Sequence, residues 1–448
     1  MARIFPFRGL FYDPARVGSL DSVVAQPYDK IDDALREKYL ARHPKHIVRI
    51  SKGKDEPGDT EGKDKYARAG NLLDEWLADK TLVRDAAPAI YASFQEFKGP
   101  DGKVRVRRGF AALGRVEDFG KGGVHAHEKT LLAPKQDRHR LMTATRGLTE
   151  GHIFMLYHDP DGRVNQLLDA AAGGKPDFEA RDDYGEIHRL WRIADPARIA
   201  GFQREMERFE LFIADGHHRY EAALQYRDEM RRLGRKCDGT ETYENRMMSF
   251  FNMCDEGMVI FPTHRVVHGL EHFDPAGLLA GLKQHFEIRD YPYRVNGDEE
   301  RMREEWLEDL RIEGMAKSVF GLAVQGAPVF RLLILEDPKG IDQAIVAKQS
   351  AEWKRLDVTI ATELILNARL GITAEKLAKE THVHYIRHAD EAVRMVQSGQ
   401  AQLAVFLNPT RLEQVRKIAA QGERMPQKST DFYPKLLSGF VMNRVHFV

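Results

Sequence analysis

The stretch Leu211-Phe212-Ile213-Ala214-Asp215-Gly216-His217-His218-Arg219-Tyr220-Glu221-Ala222 decides how this chain reads. Four apolar residues ahead of Asp-Gly predict a short buried strand closed by a turn. Ala222, Ala223, Tyr226 and Met230 then recur at helical spacing, which predicts a helix over 220–233. A strand therefore runs through Gly216 onto a helix N-terminus. Glycine allows the tight turn, and the unpaired N–H groups of a first helical turn attract anions. A strand-end aspartate can reach a metal or a reacting hydroxyl, and two imidazoles with a guanidinium suit a phosphate. A solvated Asp-Gly turn is the plain alternative, but His217, His218 and Arg219 packed after an apolar strand favour a site.

Outward from this stretch, residues 89–97 and 104–110 alternate around Gly99-Pro100-Asp101-Gly102 and predict a β-hairpin. A helix is expected from Asp137 to Thr145 and a strand from His152 to Tyr157. Before the hairpin, residues 1–88 read as an N-terminal α/β region, with Leu72, Leu73, Trp76 and Leu77 on one helical face. Residues 89–260 form the expected core and 261–350 an α/β module with a charged helix and a strand at 330–335. Residues 351–448 form a C-terminal region with a helix near 360–368 and a strand at 403–407. The fold class is α/β with mixed α+β character.

Composition narrows the function. The chain has 448 residues, 68 Lys+Arg against 68 Asp+Glu, 42% hydrophobic residues and a mean hydropathy of −0.49. Such a balance argues against disorder and against a global basic field for nucleic acid. The apolar runs fall far short of the ~20 residues that span a bilayer, and the first residues lack a signal h-region, so a cytoplasmic protein is expected. Two cysteines, Cys237 and Cys254, give neither a disulfide framework nor a thiolate zinc site. P-loop, GxSxG and kinase catalytic-loop motifs are missing.

A second polar stretch, Val124-His125-Ala126-His127-Glu128-Lys129-Thr130, precedes Lys135, Asp137, Arg138 and Arg146. His127-Glu128 sets a carboxylate beside an imidazole, the composition of a general base or a metal ligand pair. Weaker candidates are Gln26-Pro27-Tyr28-Asp29, Thr263-His264-Arg265, and Lys428-Ser429-Thr430 with Lys435. His264, His268 and His272 fall on an expected strand and read as surface or capping residues.

Phe5-Pro6-Phe7-Arg8-Gly9-Leu10, Val23 to Asp29, His127 to Thr130, Ala214 to Ala222, Pro262 to Arg265, and Lys428-Ser429-Thr430 with Phe432 to Lys435 together resemble the bacterial domain-of-unknown-function family 1015. Six motifs occur in the family's order over nearly the whole chain, and Gln26 departs from the family's usual proline. The Asp-Gly-His-His-Arg turn also resembles the ParB/sulfiredoxin superfamily, which implies a core of that type with added N- and C-terminal α/β modules. That superfamily includes free-serine kinases, and members resembling family 1015 have been associated with pyrophosphate-dependent serine phosphorylation. The resemblance implies a kinase carrying a phosphoryl group from pyrophosphate, ATP or ADP to the hydroxyl of free L-serine, with Mg²⁺ as cofactor. Glu128 is expected as base with His127 beside it, and Asp215 as metal ligand or hydroxyl orienter. Gly216, His217, His218, Arg219, Lys135, Arg138, Arg146 and Lys428 are expected on the phosphates. Tyr28, Asp29, Thr130, Thr263, His264, Arg265, Ser429 and Lys435 are expected on the substrate. A homodimer is allowed and nucleic acid disfavoured. The alternative is a ParB-like nucleotide-binding switch without metabolite chemistry. Sulfiredoxin-like redox repair lacks a cysteine beside the turn.

Overall fold

Strands β1 (Ile4–Phe5), β2 (Ile90–Lys98) and β3 (Val104–Arg115) begin a nine-stranded sheet in a computed structural model that describes residues 1–448. The predicted hairpin forms, with β2 and β3 antiparallel from Tyr91↔Ala111 to Lys98↔Val104. The sheet adds β4 (Val124–His125), β5 (Ile153–Tyr157), β6 (Phe178–Arg181), β7 (Ile187–Ile193), β8 (Leu211–Asp215) and β9 (Asn245–Asn252). Their order is β4-β8-β5-β9-β3-β2-β7-β6, with β1 pairing β3 off this path. The sheet is mixed: β8 runs parallel to β4 and antiparallel to β5, while β5 and β9 are parallel.

Side-chain alternation along a strand gives this sheet two buried faces. Tyr91, Ala111 and Met247 face one cluster, which also holds Leu10, Leu73 and Trp76. Ile90, Ala92, Phe110, Ala112 and Met248 face the other, with Ile153, Met155, Phe202, Ile213 and Tyr220. Helix α1 (Lys65–Ala78), capped by the Asp64 carboxylate, supplies Leu73 and Trp76 to the first cluster. Helices α2 (Leu132–Ala144) and α3 (His217–Arg232) follow, each starting earlier than its sequence pattern predicts.

The chain divides into two compact units, one of residues 1–126, 130–259 and 432–448, the other of 127–129 and 260–431. The expected N-terminal region 1–88 is therefore not separate. Phe7, Leu10, Leu73 and Trp76 are buried only by packing onto the same sheet face as Tyr91 and Ala111. Nor is 351–448 one region, because Leu437, Phe440, Val441 and Met442 bury themselves in that same cluster.

The second unit is built on β10 (His264–Val267), β11 (Phe286–Pro292), β12 (Val319–Val324), β13 (Val329–Leu335), β14 (Val383–Ile386) and β15 (Leu403–Phe406). Their order is β11-β13-β12-β15-β10-β14, every pair antiparallel. The expected module 261–350 is thus not closed on itself, since β15 is the strand that joins β12 to β10. Helix α4 (Glu299–Glu313) buries Trp306 on the sheet, stacked on Phe330 at 4.7 Å. The helix expected near 360–368 forms as a π-helix, Ala361–Asn367. No helix is long and apolar enough to cross a membrane.

Candidate functional site

Strand β8 is apolar and buried up to Ala214, and the chain must turn at its end to return along the sheet. Gly216 makes the turn at φ 88 and ψ 28, a left-handed conformation that costs other residues. A Cβ there would meet the Arg219 guanidinium at 3.1–3.3 Å, so glycine also makes room for that side chain. No side chain caps the 16-residue helix α3 that follows. The positive end of its dipole favours a negative partner there.

Asp215 is the carboxylate of this turn. One oxygen accepts the Gly216 N–H at 2.8 Å; the other lies 3.5 Å from Lys435 Nζ and 3.8 Å from Arg219 Nη2. Burial alone would raise its pKa, but Lys435, Arg219, Lys30 and His217 more than offset that and hold it well below the carboxylate range. Arg219 is buried and donates to the His152 carbonyl. Burial, with Arg219 adding to it, lowers the His152 pKa to about 3. His218 is likewise held neutral, chiefly by burial against the opposing pull of Asp29 and Glu221, and its Nε2 accepts the Leu131 N–H at 2.9 Å.

Tyr28 and Asp29 belong to the same neighbourhood. The Tyr28 ring lies 4.0 Å from the Arg138 guanidinium carbon, and burial followed by the Asp29 charge raises its hydroxyl pKa. Lys135 pairs with Glu221 at 3.2 Å, and Thr130 is half-buried. Two of the expected phosphate clamps are spoken for. The guanidinium of Arg138 is neutralised by Asp137 at 2.5 Å and Glu150 at 3.1 Å. Arg146 sits just beyond the C-terminus of α2, exposed and paired with Asp74 at 3.0 Å.

In the second unit another set of motif residues gathers. His127 is buried, its Nε2 3.0 Å from Thr430 Oγ1, and its carbonyl accepts the Met425 N–H at 2.7 Å. Glu128 faces Tyr385, whose phenol pKa rises through burial, with Glu380 and Glu128 adding to it. Lys428 pairs with Glu380 at 3.6 Å and Ser429 Oγ donates to the Pro426 carbonyl at 2.5 Å. The substrate roles expected of His264 and Arg265 are not met. His264 packs on Phe406 with its Nδ1 accepting the Leu407 N–H, and burial lowers its pKa to about 3, so it is neither a surface nor a capping residue. Arg265 spends its guanidinium on the carbonyls of Thr263 and Lys428.

Asp215 stands without a cluster of further carboxylate, imidazole or thiolate ligands around it. No group of three His, Cys, Asp or Glu side chains can hold a metal ion, and the Asp215 oxygens already face two cations and an N–H. Lys30 and Arg107 were not expected. Lys30 follows the Tyr28-Asp29 motif directly, and Arg107 is a charge at an inward position of a central strand, a pattern that marks a buried polar network.

Together the fold and this turn define an α+β protein with a cationic, uncapped helix N-terminus at the end of a sheet strand. Residues 4–359 match the family described as protein of unknown function DUF1015, and the chain belongs to that family. Among solved structures, a conserved hypothetical protein from Pyrococcus furiosus is 13% identical, covers 70% of this chain and 90% of its own, with a TM-score of 0.32. A free serine kinase in complex with AMP is 12% identical, with coverages of 72% and 88% and a TM-score of 0.34. A mutant free serine kinase in complex with ADP is also 12% identical, with coverages of 72% and 89% and a TM-score of 0.34. Likeness at that level carries no functional weight. No curated protein matches the chain.

Proposed function

We propose that this protein is a cytoplasmic phosphotransferase with a ParB/sulfiredoxin-like core. It moves a phosphoryl group from pyrophosphate, ATP or ADP to the hydroxyl of free L-serine. One observation carries the reading: Lys30, Arg219 and Lys435 act on the single carboxylate of Asp215 at an uncapped helix N-terminus. Several cations acting on one carboxylate, partly shielded from water, are the surroundings a transferring phosphoryl group needs.

In the proposed reaction the serine hydroxyl oxygen forms a bond to phosphorus as the bond to the leaving phosphate or nucleotide breaks. Asp215, ionised at neutral pH, orients the hydroxyl, whose proton leaves with the departing phosphate or nucleotide. His217, Arg219, Lys435 and the N–H groups at the head of α3 balance the charge on the phosphoryl oxygens. Magnesium enters with the donor, as its magnesium salt, and no protein-held ion is needed.

The test is phosphorus NMR of the purified protein with L-serine and Mg²⁺, run separately with pyrophosphate, ATP and ADP. Phosphoserine should appear with one donor and vanish in Asp215→Ala. Nucleotide binding without phosphoserine from any donor would replace this reading with a nucleotide-binding switch.

A further inference from the structure

Arg107 is fully buried, with the rings of Phe154 and Phe251 4.6 and 4.8 Å from its guanidinium carbon. A buried guanidinium is costly unless its donors are met, and burial pulls its pKa down to about 9. Its hydrogen-bond partners include no carboxylate, although the charges of Asp255 and Asp215 act on it. Nε and Nη2 donate to Gln95 Oε1 at 3.0 and 2.5 Å, Nη1 to the Tyr433 carbonyl at 3.0 Å, and Nη2 to the Pro434 carbonyl at 2.5 Å. Gln95, also buried, donates from Nε2 to the Lys435 carbonyl at 3.0 Å and lies 3.1 Å from His188 Nδ1. Three successive carbonyls, of residues 433, 434 and 435, are thus gripped from one side. The Tyr433 hydroxyl fixes the segment again, donating to Glu186 at 2.5 Å.

The side chain delivered by this grip is Lys435, only 8% exposed, with its ammonium 3.5 Å from Asp215. Only a planar fork with several fixed donors can read carbonyls of adjacent residues and a side-chain amide together, which neither lysine nor an apolar residue can do. We infer that Arg107 is a positioning residue: through the carbonyls of Tyr433 and Pro434 it sets Lys435 against Asp215, and so sets the affinity of the turn for the phosphate donor. The second half of this inference rests on the anion site proposed above, and the first half does not.

Two readouts separate the halves. The first is acetylation of Lys435 by acetic anhydride, followed by mass spectrometry and normalised to Lys121, whose side chain is 79% exposed. In Arg107→Lys, which keeps the charge but loses the fork, Lys435 should label about tenfold faster than in the wild type, and Gln95→Ala should act in the same direction. The second is calorimetric titration with pyrophosphate. Arg107→Lys should weaken binding nearly as much as Lys435→Met, and the double variant no more than Lys435→Met alone. Unchanged Lys435 labelling in variants with native circular dichroism overturns the positioning role, and additive losses in the double variant overturn the claim that Arg107 acts through Lys435. A wild type that binds no pyrophosphate overturns the anion site, while the labelling ratio still decides the role of Arg107.

Discussion

Gly216→Ala is the substitution that presses hardest on the turn. Alanine in the left-handed region costs about 1–2 kcal/mol. The new Cβ also meets the Arg219 guanidinium at 3.1–3.3 Å, and that guanidinium already donates to the His152 carbonyl. If the guanidinium gives by a few tenths of an ångström, the backbone cost stands alone; if the hydrogen bond is lost, about 1.5–3 kcal/mol is added. A loss of ~1–5 kcal/mol from the first unit is expected, the lower end if the guanidinium yields and the upper if its hydrogen bond is lost. Trp76 and Trp191 lie in that unit and Trp306 and Trp353 in the other, so urea unfolding in a Trp306→Phe, Trp353→Phe background reports it selectively. Because the displaced guanidinium is one of the cations beside Asp215, pyrophosphate affinity should fall in parallel, by about tenfold for each 1.4 kcal/mol of lost contact. An unchanged urea midpoint together with unchanged pyrophosphate affinity would refute both the conformational argument and the place given to Arg219.

Asp215→Asn should separate binding from turnover. Removing the carboxylate takes one counter-charge from Lys435 and Arg219, so calorimetry should show pyrophosphate bound more tightly while phosphoserine formation falls; weaker binding would contradict the electrostatics. The acid side of the stability curve has its own signature. Burial lowers the pKa of His46 and His152 to about 3, against 6.5 in the unfolded chain, so between those limits the unfolded state holds more protons and stability drops as pH falls. Each histidine should contribute a slope of about 1.4 kcal/mol per pH unit over the part of this range below 6.5. Urea midpoints at pH 7, 6 and 5 should descend, and His152→Gln should flatten the trend; midpoints that ignore pH would count against neutral burial.

The elements that announced themselves in the sequence were those whose burial repeats locally. The hairpin around Gly99 and Gly102 reads from alternation alone, because each strand presents one side chain in two to the same face. The strand-to-helix turn reads from four apolar residues meeting Asp215-Gly216, since only glycine takes φ 88 without strain. The cations at that turn were legible by type, but their assignments were not. Arg138 and Arg146 look alike in sequence, yet one is locked between Asp137 and Glu150 and the other is paired with Asp74 on an exposed helix end.

What tertiary structure alone decided is the partnership of distant segments. The first unit is completed by residues 432–448 and the second contains 127–129, divisions that no local periodicity encodes because they follow from which sheet buries which side chain. Lys435 stands against Asp215 because Arg107 and Gln95, themselves more than 300 positions away in the chain, hold the carbonyls beside it. Apolar spacing is a property of neighbours and can be counted along a sequence. A buried guanidinium finding its acceptors is a property of the folded interior, where every donor must be met by whatever segment the packing brings to it.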